Sequence, residues 1–235
     1  MITDNQQIVQ LNERIHILDI LRGFAVFGIL AVNIIAFSLP NHDFSQMILS
    51  PKSTKWYNQS ALWFNEYLTE GKFYIIFSFL FGLGFSVQLT RAEAKESNIL
   101  SFYPRRLMIL LAFGILHSLF WWGDVLRIYS LLGFVLLALR KLSNQWLLFL
   151  SFFLLILSSV IAGAPNVFGD GAGSPSEDIL KSILFGLIHM GPSVMAMFLL
   201  GRIIGQLKVF EKLPEYKNLF LKTITFGVII SVGLK

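Results

Sequence analysis

LDILRGFAVFGILAVNIIAFSL, residues 18–39, is apolar almost throughout, yet it carries Asp19, Arg22 and Asn33. A helix that crosses a bilayer needs about 20 mainly apolar residues, and this stretch supplies them. At about 100° per residue its three polar side chains fall within an arc of roughly 60°, so one face of the helix is polar along its length. Ionisable groups are expensive in hydrocarbon and turn towards the interior of a bundle. An apolar helix with one polar stripe therefore predicts a membrane protein whose chemistry faces other helices. The apolar run exceeds the roughly 7–15 residues of a signal-peptide core, and no small-residue cleavage site follows it, so it reads as a retained anchor.

The composition of all 235 residues agrees. The chain is 55% hydrophobic and only 14% charged, with a mean hydropathy of +0.67. Soluble domains carry nearer a quarter charged residues, because a surface in water needs them. The 23 phenylalanines exceed what a soluble core of this size requires. There is no cysteine, which removes disulfides, thiolate metal sites and cysteine nucleophiles. A net charge of +5 fits basic cytoplasmic loops better than a nucleic-acid partner, since no soluble basic domain exists to bind one.

Further apolar segments lie at about 72–90, 106–122, 124–139, 145–162 and 183–206, and another begins at 219 and runs to 235. The predicted fold class is all-α: a polytopic transmembrane helix bundle with six complete spans and a partial seventh. Residues 1–235 read as one transmembrane domain, the N-terminal part of a longer protein. Lys and Arg set the orientation. Arg14, the 91–106 loop (Arg91, Lys95, Arg105, Arg106), the pair Arg140 and Lys141, and Arg202, Lys208, Lys212 and Lys217 alternate with loops holding fewer cations. The N-terminus is then cytoplasmic, and the loops at 40–71, 122–126 and 163–181 face outward. Trp56, Tyr57, Trp63, Phe64 and Tyr67 in the first of these suit a short interfacial helix over 55–68. The localisation that follows is the bacterial cytoplasmic (inner) membrane, with the lipid bilayer as partner.

The embedded polar residues are the candidate site. Asp19 and Arg22, three apart, can pair on one face, or serve as a plain helix-end anchor. His117 lies eleven residues after Arg106, the same separation as Asn33 from Arg22, which is about 16 Å of helix rise. Asp124 follows His117 by seven residues on roughly the same face, and Arg127 can pair with it one turn on. His189 precedes Gly191-Pro192-Ser193, and Pro192 predicts a kink there. Asn33, His117 and His189 thus share one depth in the outer half, with Asp124 just above. Arg22, Arg105 and Arg106 form a basic mouth at the cytoplasmic boundary. The bland alternative for each is a hydrogen-bonding residue between helices. Gly82-Leu83-Gly84 is too short for a phosphate loop and reads as a close-packing site. Nucleotide-binding and nucleophile-elbow patterns are absent, and the four histidines lack metal-ligand spacing, so no metal is expected.

The opening RIHILDILRGFAVFGILAVNI (14–34), with KFYIIFSFLFGLGF (72–85), the stretch from Arg105-Arg106-Leu107 to His117, and GDVLRIY (123–129), resembles the YeiB-like bacterial membrane proteins. These form a multi-pass family, a domain of unknown function, whose members are longer. The first helix is more weakly similar to a superfamily of transmembrane acyltransferases, which share an Asp-x-x-Arg-Gly opening and carry an acyl group from cytoplasmic acyl-CoA to an acceptor on the far side. That similarity implies a site role for Asn33 and, by a looser match, for His42.

Two functional readings follow. In an acyltransferase, Arg22, Arg105 and Arg106 would hold the phosphates of acyl-CoA. His117 or His42 would be the general base, of a residue type that titrates near neutral pH. Asp124 would orient it, and Asn33 would donate to the developing oxyanion. Asp19, Arg127 and His189 complete the candidate substrate-binding set, and no cofactor beyond acyl-CoA as donor is implied. In a transporter, the same His and Asp groups would relay protons and the Pro-broken helix would form a midplane site. A structural or regulatory protein without chemistry is the third class.

Overall fold

The structure is a computed structural model, and it describes residues 18–31, 33, 55–56, 59–60, 72–119, 124–163 and 179–209. Among these the regular structure is all helical, with no strand, and includes seven α-helices. Helix α1 covers 18–31 and includes residue 33. It is followed by α2 (Lys72–Ala94), α3 (Tyr103–Ser118), α4 (Leu126–Ala138), α5 (Asn144–Gly163), α6 (Ile179–His189) and α7 (Gly191–Gln206). Short 3-10 turns at Ile99–Ser101 and Leu139–Lys141 lead into α3 and out of α4.

Three helical stretches are long and apolar enough to cross a membrane: Lys72–Ala94, Ile99–Ser118 and Asn144–Gly163. A fourth is added if Ile183–His189 and Gly191–Gln206 form one broken span, bent by 61°. The kink expected at Pro192 is therefore present, at Met190, where α6 stops and α7 begins. Proline brings no N–H to the ladder and its ring crowds the carbonyl four residues back, so the helix axis turns. The sixth segment is a jointed pair, not one straight helix. The fourth segment also falls short. Its 13 helical residues rise about 20 Å against about 30 Å of hydrocarbon. Residues 34–39 of the first segment and all of the seventh lie outside the described residues. Within the expected interfacial helix, Gln59 N–H donates to Lys55 O at 3.1 Å, one helical turn.

Helix boundaries follow local chemistry. Helix α2 runs past its apolar stretch to Ala94 and closes on Glu96 in the left-handed region (φ 51°). The Asn98 side chain accepts from Leu100 N–H at 3.0 Å and starts the next turn. Pro104 then occupies the first turn of α3, where a missing N–H is harmless.

The core forms where α7 lies on α2. A Cβ on Gly82 would strike the Phe198 carbonyl, and one on Gly201 would strike the Phe79 carbonyl and sit 2.9 Å from Leu83 N. These two glycines let the backbones touch, as small residues do between apolar helices. The close-packing role read for Gly82 holds. Around this contact Phe85, Tyr129, Phe198 and Leu199 are buried. Phe81 stacks on Phe198 with ring centroids 4.5 Å apart, and Phe77 stacks on Tyr129 at 5.6 Å. Helix α1 runs antiparallel to α2: Gly28 faces the Phe73 ring and Arg22 faces Gly84. Helix α5 buries only Leu147 and Ser151 and exposes Trp146, Phe149, Phe152, Phe153, Ile156 and Val160. A helix that is apolar on its outer face belongs in lipid or against another protein surface.

Candidate functional site

Asp124 sits just before α4 with its side chain wholly buried. It accepts four hydrogen bonds. Oδ1 takes His117 Nδ1 at 2.9 Å and the Leu126 N–H at 3.4 Å; Oδ2 takes the Arg127 N–H and Arg127 Nε, both at 3.1 Å. Two of these bonds satisfy the first free N–H groups of α4, where the helix dipole also favours negative charge. The guanidinium of Arg127, itself buried, balances the carboxylate. A buried charge is tolerable only when paired and hydrogen-bonded in this way.

His117 ends α3 and stays half-exposed. A carboxylate only accepts, so the ring nitrogen it bonds must carry the proton. In neutral imidazole that leaves the lone pair on Nε2. Gly114 lets α3 come close to the start of α4, beside this bond. A Cβ there would lie 2.7 Å from Arg127 N and 2.9 Å from Arg127 Cγ.

The other sequence candidates divide between the two ends of the bundle. Arg22 pairs with Asp19 at 3.2 Å on the surface, a contact of small energetic weight. Its guanidinium lies over Gly84. Arg22 and Arg106 line one cavity of about 280 Å³ with Gln88 and Tyr103; Arg105 does not line it. Arg106 donates to Gln88 Oε1. Helices α1 and α3 thus both start at this basic end, and equal eleven-residue rises carry them to Asn33 and His117 at the opposite one. Asn33 is half-buried on α1, and the carboxylate of Asp124 is bonded by His117, Leu126 and Arg127, not by Asn33. His189 closes α6 with its ring 4.2 Å from Phe185. His42 lies outside the described residues. Among the described residues, no cluster of His, Asp and Glu could hold a metal.

Three polar features escaped the sequence reading. Tyr129 OH and Ser78 Oγ meet at 2.5 Å in the core, and both reach the Tyr74 carbonyl, at 2.8 and 2.7 Å. Gln88 and Tyr103 join the arginines at the basic cavity. Arg202, counted from sequence as a cation at the cytoplasmic end of the sixth segment, is fully buried. It donates to the carbonyls of Leu139 (2.8 Å) and Arg140 (2.5 Å), with Leu142 O at 3.5 Å, and so caps the C-terminal end of α4 with a cation. The apolar sequence around position 202 was the available signal, since a lone arginine there must find internal acceptors.

Three proteins are similar to this chain in sequence. An uncharacterized 39.9 kDa protein in the amylase 3′ region of Bacillus acidopullulyticus is 32% identical over 227 residues, covering 96% of this chain and 55% of the relative. YxaH of Bacillus subtilis is 43% identical over 155 residues, 63% of this chain and 38% of the relative. YeiB of Escherichia coli is 35% identical over 130 residues, 52% of this chain and 30% of the relative. The chain is similar to YeiB. That similarity agrees with the YeiB-like resemblance, and all three relatives, YeiB included, are named as uncharacterized proteins. The chain spans between 30% and 55% of the length of these relatives. No protein-family model matches it, and no solved structure shows significant similarity.

Proposed function

We propose that this chain is part of a multi-pass bacterial inner-membrane protein, with its N-terminus cytoplasmic, that transfers an acyl group from cytoplasmic acyl-CoA to an acceptor at the outer face. The observation that carries the reading is the bond from His117 Nδ1 to the buried Asp124 carboxylate, which leaves Nε2 available as a base. Nε2 takes the proton of an acceptor hydroxyl or amine as that group attacks the thioester carbonyl. The new C–O or C–N bond forms, the C–S bond breaks, and the imidazolium returns its proton to the departing thiolate. Asp124 holds the tautomer and steadies the transient positive charge, as a carboxylate does behind a catalytic histidine. Asn33, at the same end of the bundle, is the donor proposed for the oxyanion.

The test uses the natural protein, purified from membranes and supplied with labelled acyl-CoA and an extract of envelope acceptors. Labelled product that disappears in His117→Ala supports the reading. Equal labelling by the variant removes it, and so does recovery of the protein from the soluble fraction.

A second reading has its own support in the 61° break between α6 and α7, beside His189. Broken helices form substrate sites in transporters. Uptake into proteoliposomes without any acyl donor would favour it.

A further inference from the structure

The cavity at the basic end offers two kinds of wall. Four of its residues present polar hydrogens: the guanidiniums of Arg22 and Arg106, the carboxamide of Gln88 and the phenol of Tyr103. No carboxylate lines it. The Gln88 oxygen is already taken by Arg106, so the amide N–H groups are what Gln88 has left to give. Asp19, which pairs with Arg22, is largely exposed and outside the lining. Two cations and two further donors around one space suit an anion with several oxygens, and guanidinium forks match phosphate oxygens in pairs.

The remaining wall is apolar, formed by Phe77, Phe81, Leu107 and Leu110. Phe77 and Phe81 lie on α2 one to two turns before Gly84 and Gln88, and Leu110 lies one turn beyond Arg106 on α3. The space is therefore amphipathic along its length, polar at one end and apolar at the other. Its volume of about 280 Å³ lies at the low end of ligand pockets. That is room for a phosphate head and the first part of a chain; the nucleotide of an acyl-CoA would lie outside it.

We infer that this cavity binds the phosphate head of an amphiphile, a phosphate ester carrying an alkyl or acyl chain, with the head between Arg22 and Arg106. The chain lies along Phe77, Phe81, Leu107 and Leu110. The inference deepens the proposed transfer by giving an acyl-bearing phosphate ester a docking place, and it rests on that reading only for this link. Gly84 is part of the site, because a side chain there would displace the guanidinium of Arg22.

Binding to the purified natural protein in dodecyl maltoside is measured with four probes: dioleoyl phosphatidic acid, palmitoyl-CoA, dioleoylglycerol and inorganic phosphate. A phosphate-headed amphiphile is expected to bind at least tenfold more tightly than dioleoylglycerol or inorganic phosphate. The double variant R22Q/R106Q is expected to lose at least tenfold. Gly84→Ala moves only the end of a flexible side chain, so its thermal midpoint should stay near wild type while affinity falls several-fold. Equal affinity for phosphatidic acid and dioleoylglycerol overturns the inference, as does unchanged binding in both the double variant and Gly84→Ala. A preference between phosphatidic acid and palmitoyl-CoA identifies the source of the head, membrane leaflet or soluble pool. His117→Ala is expected to bind like wild type. Binding without transfer removes the enzyme reading alone, and transfer without this binding removes the cavity alone.

Discussion

The backbone nitrogen of Arg127 lies 2.7 Å from the point where a side chain on Gly114 would begin. Backbone cannot retreat as a side chain can, so an added methyl must push α4 away from α3. Gly114→Ala is expected to destabilise the protein by roughly 1–3 kcal/mol, the usual range for overpacking. It should also lengthen the bond between His117 and Asp124. Thermal unfolding in detergent checks the first effect, and the imidazole nitrogen chemical shifts check the second.

Asp124 and His117 should separate stability from chemistry. Asp124→Ala removes the carboxylate that pairs with the buried Arg127 guanidinium and uncaps α4. A loss of roughly 3 kcal/mol or more is expected, typical of a broken buried pair. His117→Ala removes one hydrogen bond from a half-exposed ring, and should cost only about 1 kcal/mol. Unfolding midpoints that fall equally in the two variants would contradict the burial difference between them.

Arg202 is expected to resist conservative replacement. Its planar fork reaches carbonyls of Leu139 and Arg140 together, whereas the lysine ammonium is a point charge on a flexible stem. Arg202→Lys should lose roughly 1–2 kcal/mol and Arg202→Met roughly 2–3 kcal/mol, on the scale of buried acceptors left without donors. Unfolding in detergent would show both. A methionine variant as stable as wild type would mean that water serves these carbonyls.

Tyr129→Phe keeps the ring packed among Phe77, Phe81 and Phe198 and deletes only the hydroxyl. Ser78 still has the Tyr74 carbonyl. A loss of about 1 kcal/mol is expected, one net hydrogen bond. Adding Ser78→Ala should then cost less than the same change in the wild type, because the partners are shared.

The sequence reading brought His117 and Asp124 together on one helix face, seven residues being nearly two full turns, but α3 ends at Ser118 and Asp124 meets the ring from its place before α4. The same periodicity exposed the polar stripe of α1 and placed Arg22 at the basic end. It could not reveal Gly114, whose role depends on which backbone lies opposite. Gln88 and Tyr103 were silent for a similar reason, since polar residues near a helix end serve equally well facing water. Counting cations by loop misplaced Arg202, because the count assumes that an arginine near a helix terminus reaches solvent. Helix α7 ends at Gln206, where the sixth segment was read to end, but it turns the Arg202 side chain inward. Apolar length alone also read α4 as a crossing, and α4 is not among the helices long enough to span by themselves.

The joint at Met190 divides one apolar stretch between two mechanical roles. Beyond it, α7 is wedged backbone-to-backbone into α2, so a change at Gly201 or Phe198 disturbs the centre of the assembly. Before it, α6 meets α4 through Gly186 and the tip of Ile128, a looser seat. Damage near Phe185 should therefore stay local, because the corner interrupts the rod that would have transmitted it.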